Sequence, residues 1–335
     1  MKIAFAKPKP QNSLGGIDAA MQGMEEALSE HGVDVLTEEH WREADLVHFH
    51  GLWEPSHLLL SRKVRREGKP QVVSPHGMLE PWALKKKGWK KKPYYSLLES
   101  PRLQKSDCIL VTSKMEEDNV KSLLPRASTQ VLPLGAQFPD EFSREQSRVA
   151  LGWKDSERII LYLSRVHEKK GLHLMIEALS QIAPDTSLRL VIVGDGEAVY
   201  RERLDKLIEE NIESLPVIDW VGPVWGEERW SYFAGADLFC LPTFSENFGI
   251  VVLEALLSGT EVLTTTETPW SEFSQRSGVR ICVPEVCSIR DELQSWIADD
   301  EVSGSEISDF FHKAFTWSSL GARYKRAYEE ILNIR

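Results

Sequence analysis

Residues 242–259 read PTFSENFGIVVLEALLSG. The apolar run Leu238–Leu241 precedes them and Glu261–Thr264 follows, both with strand character, while 250–258 reads as a helix. Strand, loop, helix and strand in that order form one repeat of a parallel α/β sheet, whose crossovers are right-handed. Glu246 falls in the loop, Phe248 and Gly249 at the helix mouth, and Glu254 one turn into the helix. Free N–H groups at a helix N-terminus attract anions, and Gly249, lacking a Cβ, permits close backbone approach. A carboxylate beside them is suited to gripping hydroxyls. Spacing alone also allows Glu246 to cap the helix and Glu254 to face solvent. Against this, the residues around Glu254 are apolar, so its carboxylate needs a partner.

The same rhythm runs outward through the chain. In the second half, strands are expected at Arg158–Leu163, Leu188–Val193 and Val217–Trp220, with helices near 171–182, 198–210, 226–234 and 289–297. In the first half, strands are expected at Lys2–Ala6, Val33–Leu36, Asp45–His50, Gln71–Ser74, Cys108–Thr112 and Val131–Leu134. Helices are expected at Ile17–His31, Leu58–Glu67, Tyr94–Gln104 and Ser113–Leu124, the last N-capped by Ser113. Residues 135–157 are polar and charged and read as an interdomain linker. The last helix, Trp317–Asn333, places Leu320, Tyr324, Ala327, Tyr328 and Ile331 on one face. Two parallel α/β units in tandem follow, with ligands expected at the carboxyl ends of the strands.

Composition narrows the class. The 335 residues are 42% hydrophobic, enough for two cores, and no stretch approaches the roughly 20 apolar residues of a membrane span. MKIAFAKPKP lacks the pattern of a signal peptide, so a cytoplasmic location is expected. A net charge of −11 argues against nucleic-acid binding. Cys108, Cys240, Cys282 and Cys287 have no spacing for a metal site and read as structural thiols.

Four further constellations bear on chemistry. In LSRVHEKKGLHL (163–174), Arg165 and Lys170 flank a turn and Gly171 opens a helix, an arrangement that suits a diphosphate or a solvated loop. Gly194-Asp195-Gly196 makes a tight strand-to-helix turn, but Val199 breaks the dinucleotide fingerprint, which demotes a dehydrogenase. Gly15 and Gly16 precede a helix, where amides can approach a phosphate or simply form a flexible turn. His76, in SPHGM, stands at a sheet's carboxyl edge, unlike His48 and His50, which lack the other ligands of a zinc site. The chain contains no Asp-x-Asp, so neutralising a diphosphate falls to Arg165, Lys170 and helix dipoles.

Together HGLWEP (50–55), SPHGMLEPWAL (74–84), SRVHEKKGL (164–172), VGDGE (193–197), WVGPV (220–224), SENFGIVVLEALLSG (245–259) and the Gly15-Gly16 loop resemble the family 4 glycosyltransferases over nearly the whole chain. SPHGMLEPWAL looks like a subgroup that builds bacterial surface polysaccharides. The resemblance implies a GT-B fold: two facing Rossmann-like domains with an interdomain cleft. It implies an acceptor-side domain over 1–140, a nucleotide-sugar domain over 151–316, and a helix over 317–335 that crosses back to the first. It also implies a retaining, metal-independent transfer of a hexose or N-acetylhexosamine from a nucleotide sugar, UDP-sugar favoured, with no cofactor. By the same resemblance, Arg165 and Lys170 hold the diphosphate, and Glu254 the ribose. Glu246 and the amides of Phe248 and Gly249, beside Ile250, hold the sugar. Gly15 and Gly16 meet the phosphates from the opposite domain, His76 lies beside the sugar, and Gly194, Val221 and Gly222 border the nucleotide. Ser164 stands where many relatives have glycine.

One segment is an outlier in an acidic chain. Residues 85–92, KKKGWKKK, carry six lysines. Lys85, Lys86, Lys87 and Lys90, with Trp82 and Trp89, suit an anionic membrane surface and a glycan or lipid-linked acceptor, or else a solvated loop. Two other classes compete with the transferase: a nucleotide-sugar epimerase of the same fold, and a non-catalytic sugar-nucleotide-binding subunit.

Overall fold

Four strands of the first unit are buried on both faces, the signature of a parallel sheet covered by helices on each side. The computed structural model describes residues 1–8, 15–85, 88–139, 141–183, 187–299 and 304–333. They divide into two units, residues 1–136 with 314–335 and residues 137–313.

The first unit runs β1 (Lys2–Ala6), α1 (Gly15–Glu30), β2 (Asp34–Thr37), β3 (Leu46–His50), α2 (Pro55–Arg66), β4 (Gln71–Ser74), α3 (Pro81–Lys85), α4 (Gly88–Tyr94), a π turn (Tyr95–Glu99), α5 (Ser100–Leu103), β5 (Cys108–Val111), α6 (Lys114–Leu123) and β6 (Thr129–Val131). The strands pair in parallel in the order β2-β1-β3-β4-β5-β6. The order reverses between β1 and β3, which opens a crevice at their carboxyl ends. Ser113 caps α6 through its side chain, as its spacing predicts.

The second unit runs α7 (Arg144–Leu151), β7 (Arg158–Leu163), a 3-10 turn (Glu168–Lys170), α8 (Leu172–Leu179), β8 (Leu188–Val193), α9 (Ala198–Glu210), β9 (Val217–Gly222), α10 (Arg229–Gly235), β10 (Leu238–Leu241), α11 (Ile250–Leu257), β11 (Glu261–Thr265), β12 (Val279–Cys282), α12 (Val286–Ala298) and α13 (Gly304–Phe315). Its parallel order is β12-β11-β10-β7-β8-β9. Read from β9 this is the 3-2-1-4-5-6 order of the dinucleotide-binding fold, with its reversal between β7 and β10.

Helix α14 (Trp317–Asn333) follows and packs on α1 within the first unit. Leu320, Tyr324, Ala327, Tyr328 and Ile331, the face read from periodicity, are buried against Ile3, Phe5, Met24 and Leu28.

Three readings need correction. Residues 135–157 are not simply a linker, because they contain α7, which packs on α10. Ser143 caps α7 by accepting from Gln146 N, at the spacing of a capping box. The charge that suggested solvent is spent internally: buried Arg148 donates to the carbonyls of Gly235, Lys154 and Glu157. Among the described residues of the basic stretch, Lys85 ends α3 and residues 88–92 lie in α4, which runs into a π turn that follows Pro93, a residue unable to donate a helix hydrogen bond. Of the four thiols, Cys287 is exposed and the other three are buried.

Candidate functional site: the carboxyl edge of the second sheet

Two loops flank the reversal between β7 and β10, and both carry the residues singled out from sequence. The loop after β7 holds Arg165, Lys170 and Gly171; the loop after β10 holds Glu246, Phe248 and Gly249. Backbone contacts tie them. Phe244 N donates to Lys169 O at 2.8 Å, and Thr243 Oγ1 donates to the same oxygen at 3.0 Å. Gly171 has a φ of +74°, and a Cβ there would overlap the Pro242 carbonyl, so both its conformation and its clearance demand glycine.

The two loops bring Lys170 and Glu246 into an ion pair, with both side chains largely buried. Arg165 is exposed, and its carbonyl accepts from the Tyr162 hydroxyl at 3.0 Å. Gly249, at φ +75°, is the N-cap of α11, and Ile250 is the helix's first residue. Trp270 Nε1 donates to Phe248 O at 2.5 Å, and the two rings meet edge-on at 5.2 Å. The helix mouth is therefore fixed from behind by a fully buried tryptophan.

Glu254 is buried, which rules out the solvent-facing reading. Its partner is Arg229, whose Nη2 donates to Glu254 Oε1 at 3.0 Å. Burial pushes the Glu254 carboxyl up, and the Arg229 charge and hydrogen bond pull it back. Nothing in the spacing of the sequence relates residues 229 and 254, so Arg229 was not legible there.

The turn after β8 joins the same edge. Val166 N donates to Asp195 O at 2.9 Å, and Gly194 N donates to Gly222 O at 2.8 Å. Cβ atoms on Gly194 or Gly196 would overlap the carbonyls of Ser164 and Val166. Val221 is exposed beside Gly222 at the end of β9. The carboxyl ends of β7, β8, β9 and β10 thus converge on one edge carrying Arg165, Lys170, Arg229, Glu246, Glu254 and a helix mouth.

The first unit has its own polar cluster at the ends of β3 and β4. His76 adopts φ +51°, a strained value for a residue with a Cβ. Glu116, which the sequence reading did not flag, holds that turn from behind. Its carboxylate accepts from Gly77 N at 2.6 Å and Thr112 N at 2.7 Å. His50 Nδ1 and His76 Nε2 lie 3.1 Å apart, and their rings stack at 5.3 Å. His48 bridges Ser74 Oγ and Tyr328 OH, each at 2.8 Å. Burial pushes His76 down to about 4 and holds His48 and His50 well below the usual range, so all three are neutral at pH 7. Gly15 and Gly16 open α1. Trp82, Lys85 and Trp89 are exposed on α3 and α4. Lys86 and Lys87 lie outside the described residues, as does the side chain of Lys90.

Comparison with known proteins assigns the two units. The family model "Glycosyltransferase Family 4" matches residues 22–137, and "Glycosyl transferases group 1" matches residues 143–303. Each unit therefore matches a glycosyltransferase family model, and the fold is of GT-B type. Among curated relatives is the D-inositol 3-phosphate glycosyltransferase of Corynebacterium jeikeium, 23% identical over 70% of this chain and 60% of that protein. Its counterpart in Corynebacterium urealyticum is 26% identical over 57% of this chain and 47% of that protein. The chain thus spans about half to three fifths of the length of these relatives. Among solved structures, sucrose-phosphate synthase from Thermosynechococcus elongatus superposes with a TM-score of 0.82 at 18% identity, covering all of both chains. The Anabaena protein HepE, solved with UDP and glucose, gives 0.75 at 16% identity, covering 98% of this chain and all of HepE. At such identities the likeness establishes the fold.

Proposed function

We propose that the protein is a retaining, metal-independent glycosyltransferase. In this reading it moves a hexose or N-acetylhexosamine from a nucleoside-diphosphate sugar, a UDP-sugar in preference to a GDP-sugar, to a glycan or lipid-linked acceptor in surface-polysaccharide synthesis. The observation that carries it is the pairing of Lys170 with Glu246 at the sheet reversal, beside the N-terminus of α11. The pair stores a cation for a diphosphate next to a carboxylate for sugar hydroxyls. Arriving donor takes Lys170 and Arg165 onto its phosphates and frees Glu246 for the sugar. The amides at Phe248 and Gly249 add partial positive charge without any side chain. Glu254 accepts from the ribose hydroxyls, and Gly194, Val221 and Gly222 border the nucleotide.

In a front-face reaction the leaving phosphate draws the proton from the acceptor, so the protein need only stabilise developing charge. Arg165 and Lys170 supply that stabilisation without a metal. In the first unit, the sequence resemblance assigns His76 to the sugar and Gly15 and Gly16 to the phosphates. The neutral state of His76 suits a hydrogen-bonding rather than a charge-neutralising role. The structures of HepE with UDP and with UDP-glucose support a uridine donor.

The acceptor is proposed to lie at the cytoplasmic face of a membrane. No helix among the described residues is long and apolar enough to cross one. Trp89 and Leu97 are about three-quarters exposed on the lysine-rich helical segment. Pro81, Leu84, Lys85, Gly88, Trp89 and Lys92 line a groove of about 780 Å³ there. Apolar groups among lysines suit an anionic lipid surface.

The test is calorimetric titration with UDP, GDP, ADP and their sugar conjugates in EDTA, followed by turnover assays of the parent and K170A. Binding of one nucleotide with turnover lost in K170A supports the transferase. Binding with no turnover by the parent, given any glycan or lipid-linked acceptor, favours a non-catalytic subunit. Turnover of the nucleotide sugar to its epimer favours an epimerase.

A further inference from the structure

Arg229 occupies an unusual position for a surface arginine. Its guanidinium is held three ways: Nη1 donates to Gly226 O at 2.8 Å, Nη2 donates to Glu254 Oε1 at 3.0 Å, and its Cζ lies 4.2 Å from the centroid of the Trp230 ring. Trp230 is itself buried against Phe138 and Phe233. An arginine fixed at three points gives up its rotamer freedom before any ligand arrives.

Glu254 has no comparable support of its own. Val252, Leu253, Ala255, Leu256 and Leu257 of α11 are all buried and apolar, so the helix offers the carboxylate no side-chain donor. A carboxylate in such surroundings takes up a proton or swings out to water unless a cation holds it. Arg229 is that cation. It also begins the helix that follows the 223–228 loop, directly downstream of Val221 and Gly222 at the end of β9. One side chain therefore links the segment proposed to border the nucleotide base to the carboxylate proposed to hold its ribose.

We propose that Arg229 is a positioning residue for Glu254. It keeps the carboxylate ionised and aimed, and thereby gives the site its preference for a nucleotide that carries both ribose hydroxyls. This rests on the assignment of Glu254 to the ribose made above. Arg229 engages one carboxylate oxygen along a fixed direction, leaving the remaining lone pairs of the carboxylate for two vicinal hydroxyls. A 2′,3′-dideoxynucleotide lacks those hydroxyls and gains nothing from the arrangement.

The experiment is calorimetric titration of the whole chain with whichever of UDP, GDP and ADP binds, against its 2′,3′-dideoxy analogue. The proteins compared are the parent, R229Q, R229K and E254Q. The parent is expected to prefer the ribonucleotide by about 10- to 100-fold, as for loss of a charged hydrogen bond. E254Q and R229Q are expected to lose most of that preference while binding the dideoxy analogue as the parent does. R229K is expected to recover part of it. R229Q is also expected to shift the acidic limb of the affinity–pH profile to higher pH. If E254Q keeps the preference, the ribose assignment fails. If E254Q loses it but R229Q does not, the assignment stands and the role of Arg229 is overturned. A loss in R229Q equal for both ligands marks a merely structural arginine. Failure of every nucleoside diphosphate to bind overturns both.

Discussion

Lys170 and Glu246 are 76 residues apart in the chain and form an ion pair with little solvent exposure. Lys170 ends a 3-10 turn, and Glu246 lies in the loop before α11. They meet because β7 and β10 are neighbours in the sheet, and Gly171 lets the two loops touch.

Replacing Lys170 with alanine is expected to leave the fold largely intact and to cut donor turnover by about 10²- to 10³-fold, the scale for losing one charge-stabilising group. Nucleotide release from the bound donor, followed by chromatography, measures this. Turnover within a factor of a few of the parent would remove Lys170 from the mechanism.

Gly171→Ala and Gly152→Ala make a matched pair. Both glycines have positive φ, +74° and +70°, but only Gly171 faces a carbonyl, while nothing lies within 4 Å of a Cβ at Gly152. G152A is expected to cost about 1 kcal/mol from backbone strain alone, and G171A about 2–4 kcal/mol. Urea unfolding midpoints measure the difference, and equal costs would refute the close-contact argument.

Tyr328→Phe removes the hydroxyl that bonds His48 Nδ1 at 2.8 Å. His48 is fully buried, so its ring nitrogen is left without that partner at a cost of about 1–3 kcal/mol. The same measurement on Y324F probes a different bond, because Tyr324 donates to Pro133 O at 3.0 Å. Stability unchanged in Y328F would mean that water replaces the hydroxyl.

Acid should destabilise the protein through its buried histidines. His57 and His76 are pushed down to about 4, His57 by burial and then by the Arg102 charge, and His76 by burial. The unfolded chain takes up these protons near pH 6.5 and the folded chain only near 4. Stability present above about 6.5 is therefore lost as pH falls toward 4, by up to about 1.4 kcal/mol per pH unit for each histidine. Chemical denaturation between pH 7.5 and 5 should show this slope, and H57Q should flatten it. An identical slope in H57Q would discount His57.

Changing Lys85, Lys86 and Lys87 to glutamate is expected to weaken binding to phosphatidylserine vesicles by roughly 100-fold or more, at about 1 kcal/mol per lysine. Sedimentation with vesicles measures it, and neutral vesicles serve as the control. Unchanged sedimentation removes the membrane from the proposed function.

Much of the fold was legible because parallel α/β repeats write themselves as local patterns. The apolar runs at 158–163, 188–193 and 238–241 are continuous and bounded, and each is a strand buried on both faces along nearly its whole length. The face of α14 from Leu320 to Ile331 was readable because helical spacing is a local property. The helix at 144–151 was obscured by charge, since a composition reading cannot tell an arginine in solvent from one whose guanidinium fills four backbone and side-chain acceptors, as Arg148 does. Its capping-box spacing, Ser143 to Gln146, was the available local signal.

By itself the sequence determined the succession of strands and helices, the glycines at the turns, and which charged residues stand at strand ends, because each of these depends on neighbours a few positions away. Tertiary structure alone decided partnership: that Lys170 meets Glu246, that Arg229 rather than solvent answers Glu254, and that Glu116 holds the turn bearing His76. Those pairings depend on strand order, and strand order is set by which apolar faces are buried together over the whole sheet. No local pattern encodes it.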